Sequence, residues 1–181
     1  MLSSLGSYIE RKFTVLKPGT DVIGFLHLLL LVVQNKSLVV SIPVLVSWTR
    51  LLSSRYIGPN AANLDLIGPL LEVCSSRMIR YENLPEDSHD PSYLFLLEDT
   101  DTIPERHAFL GNYRRYSSQL IELIVQLKLT DALAHILRQT DDILQHLYDG
   151  QPPLDGALAP PGPFFSTFVY FLMLCRVTYI S

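Results

Sequence analysis

A chain of 181 residues with 48% hydrophobic and only 18% charged residues can bury a core, which excludes a disordered chain. Its formal net charge of −4 excludes a molecule drawn to nucleic acid by overall charge. Two cysteines, Cys74 and Cys175, give neither a disulfide framework nor a zinc site and point to a reducing compartment.

Residues 1–19 lack a signal peptide's order of basic region, apolar run and small-residue cleavage site, and are set apart as an N-terminal segment. Thr20 or Asp21 caps a first helix that runs through VIGFLHLLLLVV to about Asn35. After NKS, a second helix reaches about Ser54, with Ser41 and Pro43 near its start or at a kink. Gly58-Pro59 closes that pair. A third helix starts near Asn63 or Asp65 and places Ile67, Leu70, Leu71, Cys74, Met78 and Tyr81 on one stripe. Residues 82–105 then form a long acidic insert with three prolines, in which SYLFLLE packs locally. The insert holds eight acids and no Lys or Arg, leaving 14 basic against 10 acidic residues in the rest of the chain. A fourth helix spans about 106–128. A fifth, capped by Thr130, runs to Tyr148. QPPLDGALAPPGP breaks regular structure, so 151–181 is a Pro-rich linker with an apolar tail.

No stretch alternates as a strand, and the helices pair with a period of about forty residues. The expected fold is all-α: HEAT-like helical hairpins, an α-solenoid fragment of about five helices over 20–150. A compact helical bundle is the competing arrangement. The fourth helix has an apolar arc about twice the roughly 100° of a surface helix, so it needs cover on two sides. Its polar arc holds Arg115, Ser118, Gln119, Glu122 and Gln126.

The stretch DTDTIPERHAFLGNYRRYSSQLIELIV, 99–125, interleaves Arg106, Arg114 and Arg115 with Phe109, Tyr113 and Tyr116. The tyrosines fall on the core arc, which argues against base stacking. Arg115 faces outward on the polar arc and Arg114 sits at its edge; solvent exposure or pairing with the acidic insert is the plain reading of both. Arg106, Arg114 and Arg115, with Glu98, Asp99 and Asp101, are the partner-binding candidates. Trp48 shares a core stripe with Leu45, Leu52 and Tyr56.

Glycine-rich phosphate loops, HExxH, CxxC and GxSxG are all missing from the sequence. On the fifth helix Asp131, His135, Asp142 and His146 share one face opposite Leu133, Ile136 and Leu137. A straight helix separates the two histidines by ~16 Å, too far for one ion. The face reads as solvated i,i+4 pairs. The sequence assigns no catalytic residue, metal or cofactor, and the chain reads as a non-enzyme. The runs VIGFLHLLLLVV and FFSTFVYFLMLC fall short of the ~20 residues of a spanning helix. Extended through VTYIS, the second run makes a small tail-anchored helical membrane protein the alternative.

Three segments carry a resemblance: SIPVLVSWTRLLSS, LIGPLLEVCSSRMIRYENLPEDS and the 99–125 stretch. RYENLPEDS paired with PERHAFLGNYRRY across an acidic gap is the most specific. Together they resemble an internal section of fungal exportin-5, a karyopherin-β nuclear export receptor, over about 38–149, with the preceding helix as a candidate extension. The resemblance implies a HEAT-repeat receptor that binds Ran-GTP and cargo, protein or structured RNA, meets nuclear pore proteins, and moves between nucleus and cytoplasm. It implies a fragment, with Ran-contacting repeats missing and the tail after Gly150 a gene-model artefact. No contact residue carries over.

Overall fold

The computed structural model describes residues 1–16, 19–62, 65–78, 81, 84 and 87–145. The tail 151–181, with Cys175 and the membrane-anchor alternative, lies outside the described residues.

Among the described residues the chain forms eight α-helices: α1 Leu2–Lys12, α2 Val22–Val33, α3 Leu38–Ser53, α4 Gly58–Ala62, α5 Ile67–Ser76, α6 Pro91–Asp99, α7 Ile103–Leu127 and α8 Leu129–Gln145. The sequence resolves five of them. A 3-10 turn over Phe13–Val15 follows α1.

The starts obey local chemistry. Asp21 accepts from the Gly24 amide at 2.7 Å and caps α2. Ser37 accepts from the Val40 amide at 3.3 Å and caps α3. Asp90 accepts from the Tyr93 amide at 2.9 Å, with Pro91 at the tolerant first helical position of α6. Thr102 accepts from the Glu105 amide at 3.3 Å, while the Glu105 carboxylate accepts from the Asp101 amide at 3.1 Å. This is a reciprocal cap on α7. Thr130 is not a cap: α8 begins at Leu129, after Lys128 alone.

Packing gives two layers. Helices α2, α5 and α8 follow one another in one layer, and α1, α3 and α7 in the other. The hairpins α2–α3 and α5–α7 cross between the layers, and α8 packs on α7 and α5. Adjacent pairs stacked this way make a solenoid-like fragment. Helix α7 touches α3, α4, α5 and α8, the multiple cover that its wide apolar arc demands. The cover extends further than the angular count allows: Ser118, placed on the polar arc, is buried, with its hydroxyl donating to the Arg114 carbonyl at 2.9 Å. Trp48, Leu45, Leu51, Leu70, Leu120 and Ile124 form the centre of the core at 0% exposure.

Two segments that the sequence leaves as connections are structural. Helix α1 packs along α3 and buries Ile9 and Gly6. Helix α6, inside the acidic insert, packs on α3 and buries Ser92, Tyr93 and Leu96. Gly58 starts α4 against the Leu52 carbonyl, where any Cβ would collide with backbone.

Candidate interaction surface

The joint between the two layers is built around one buried cation. Arg77, 8% exposed at the end of α5, donates to the Val33 carbonyl at 2.5 Å and to the Asn35 carbonyl at 2.5 Å. Val33 ends α2, where helix geometry leaves acceptors unsatisfied and negative, and Asn35 lies two residues further on, in the turn toward α3. The same guanidinium reaches the Tyr113 hydroxyl on α7 at 3.2 Å and the Ser41 hydroxyl on α3 at 3.4 Å. Ser41 and Tyr113 are 3.1 Å apart. One side chain therefore joins both hairpins. Among the described residues no ion pair with a carboxylate is formed by Arg77; helix-end dipoles take that place.

Burial sets the acidities around it. The Tyr113 phenol is pushed up by burial, against the opposing pull of Arg77 and its hydrogen bonds. Burial pushes the Cys74 thiol up to about 12, again against Arg77. The Tyr81 phenol is pushed up to about 12 by burial, with Asp90 adding to the rise. All three stay protonated in ordinary conditions, so this cluster is structural and offers no nucleophile.

The sequence-derived candidates are separated by role. Asp99 accepts from the Ser37 hydroxyl at 3.0 Å and fastens the end of α6 to the cap of α3. Arg106 donates to the Thr100 hydroxyl at 3.1 Å, and that hydroxyl donates to the Leu96 carbonyl at 2.6 Å. Arg106 thus braces the α6–α7 elbow. Arg115 is exposed, stacked 4.8 Å over the Tyr116 ring and donating to the Tyr116 hydroxyl and to Asn112. Arg114 is half-buried. Glu98 and Asp101 are exposed. Tyr113 is buried at 1% exposure and Tyr116 half-buried, as core positions on α7.

Helix α8 departs from the expected face. His135, placed by the sequence on the solvated side, has a side chain only 15% exposed and 3.3 Å from a Glu72 carboxylate oxygen on α5. Its Nε2 makes no hydrogen bond. Burial lowers its pKa; Glu72 pulls the other way but is itself 60% exposed, so water screens it. Leu129, Leu133 and Leu137 are instead exposed, at 61%, 45% and 59%. Their spacing makes one open stripe. Ile23, Leu28 and Leu31 are likewise exposed on α2. The layer of α2, α5 and α8 is thus apolar at both ends. Among the described residues no group of His, Cys, Asp and Glu is placed to hold a metal ion. Among them, too, no helix is long and apolar enough to cross a membrane.

The model of the exportin-5 family matches residues 1–159. The chain belongs to the exportin-5 family. A search of curated proteins gave no match. Exportins are nuclear export receptors, not an enzyme family; in general they act with cargo and Ran-type partners and shuttle between nucleus and cytoplasm. The match covers α1 and α6 as well as the five helices legible in the sequence. The joint at Arg77 escapes sequence reading because a single arginine following an apolar stripe looks like any solvated helix end.

Proposed function

We propose that this exportin-5 family member is part of a fungal-type nuclear export receptor whose HEAT-like repeats bind Ran-GTP and cargo, protein or structured RNA, together. The family match over residues 1–159 carries the reading. The two-layer stacking of helices supports it, because small rotations between stacked pairs sum to a large change in curvature. Two ligands that prefer the same curvature then bind cooperatively, and the coupling is reciprocal. The apolar ends of the α2, α5 and α8 layer fit a piece of a longer superhelix, in which further helices would cover them.

Within this reading the outward surface of α7, with Arg114 and Arg115, and the acidic side chains Glu98 and Asp101 are the proposed partner contacts. Arg106 and Asp99 belong with them by position, although the guanidinium is committed to Thr100 and the carboxylate accepts from Ser37. Contact with nuclear pore proteins and residence in both nucleus and cytoplasm follow from the same proposal.

The test is capture of Ran loaded with GTP or with GDP on the immobilised longer exportin frame that contains these residues, with and without cargo. The expected result is GTP-dependent capture strengthened by cargo. Equal capture of both nucleotide states would overturn the reading.

A further inference from the structure

Helix α6 presents two unlike faces. Ser92, Tyr93 and Leu96 are buried against α3, and the Ser37–Asp99 hydrogen bond fastens its end. On the other side Leu94 and Phe95 are exposed at 44% and 42%, and Glu98 follows one turn later on the same face. Ile103, at the head of α7, is exposed at 63%. Nothing in the fold of the described residues explains an exposed Phe beside an exposed Leu on so firmly held a platform.

The surrounding charge identifies the partner. Every charged side chain from Glu82 to Glu105 is acidic. Asp90 and Glu105 are spent on helix caps and Asp99 on Ser37. Asp87, Glu98 and Asp101 remain exposed. The nearest cation in sequence, Arg106, points its guanidinium at Thr100. Exposed Lys36, beside the Ser37 that holds Asp99, is a cation from another element near the α3 side of the patch; the segment itself contributes only acids, and an apolar centre with a polar rim is the anatomy of a protein interface. A negative rim repels nucleic acid, and it repels the same face of a second copy.

We propose that the outer face of α6, with Leu94 and Phe95 as anchors and Glu98 and Asp101 as rim, docks a basic amphipathic protein segment. That segment is a Lys- or Arg-rich helix or strand carrying apolar side chains, which bury on the anchors while its cations meet the rim. Glu98 and Asp101 are also partner contacts under the proposed function; this proposal names the chemistry of the segment they would meet, and the peptide experiment reads it without Ran or cargo.

The experiment uses the whole chain and three fluorescent peptides of equal length: one alternating Lys with Leu in a helical pattern, one with Glu in place of Lys, one with Ser in place of Leu. Fluorescence anisotropy at low and physiological salt reads affinity. The Lys/Leu peptide binds, and the other two bind at least about tenfold more weakly. Phe95→Ser weakens the Lys/Leu peptide by about tenfold or more, with an unchanged melting temperature because the side chain is exposed. The paired change Glu98→Lys and Asp101→Lys weakens it similarly and flattens its salt dependence. Equal binding of all three peptides, or affinity untouched by Phe95→Ser, overturns the proposal. So does a Phe95-dependent dimer in sedimentation, which would make a second copy the occupant, or displacement of the peptide by duplex RNA.

Discussion

The Arg77 guanidinium lies 3.2 Å from the Tyr113 hydroxyl, and this contact ties the end of α5 to the middle of α7. Through the same guanidinium, the last carbonyl of α2 and the Asn35 carbonyl in the turn after it gain donors that the helix cannot supply. Hairpins α2–α3 and α5–α7 therefore share a polar joint as well as an apolar core.

Replacing Arg77 by Met should cost about 2–4 kcal/mol, because it strands buried acceptors while keeping the apolar stem. Urea denaturation monitored by circular dichroism measures it. Tyr113→Phe should cost about 1 kcal/mol. The double variant should cost less than the sum of the two, since both changes break one hydrogen-bonded group.

Trp48 is the single tryptophan and is 0% exposed, with its Nε1 lacking a hydrogen-bond partner. Its emission should be blue-shifted in the folded chain and move red on unfolding. Trp48→Phe should be mild, at about 1 kcal/mol, since it removes an unsatisfied donor along with some volume. Trp48→Ala should cost about 3–5 kcal/mol.

The Cys74 thiol is buried, and its acidity is suppressed to about 12. A thiol reagent should label Cys74 only after denaturant is added, as read by mass spectrometry of the Cys74 peptide. Labelling of that peptide in the native chain at neutral pH would contradict the described packing.

His135 sets a pH dependence on the docking of α8. Its folded-state pKa is lowered from 6.5, chiefly by burial, so the unfolded state takes up a proton first as pH falls. The stability held by the neutral ring is complete above pH 6.5 and is lost as pH drops from there through the folded value. Melting temperature should fall over that acid window. His135→Gln should flatten this part of the profile; an unchanged slope would assign the loss to other groups.

Much of the architecture was readable because α2, α3, α5, α7 and α8 each carry a long apolar period. The helices that escaped are those with little to bury. Helix α6 commits only Ser92, Tyr93 and Leu96, and its signal is the Asp90-Pro91 start rather than a stripe. Helix α1 buries only Gly6 and Ile9. Helical angles put Tyr113 in the core correctly but misplace Ser118 and His135, because they assume a single boundary between core and water, and misplace Tyr56, which is 42% exposed because α3 ends at Ser53 before reaching it. Neighbours on several sides move that boundary, and their positions are tertiary facts. The candidate site was legible as composition: acids on one segment, arginines on the next. Which of them were already committed was not. Asp99 is held by Ser37 and Arg106 holds Thr100, and both pairings depend on how α6 folds back on α3 and α7.

Leu129, Leu133 and Leu137 give α8 an unsatisfied valence. In a stacked array each unit gains stability from both neighbours, and a unit with one neighbour keeps only half of that coupling. Exchanging Leu133 and Leu137 for Lys should therefore leave the melting temperature nearly unchanged while reducing self-association in light scattering. Under the proposed function the stripe is a coupling end, the place where the next pair of helices in a longer superhelix would dock.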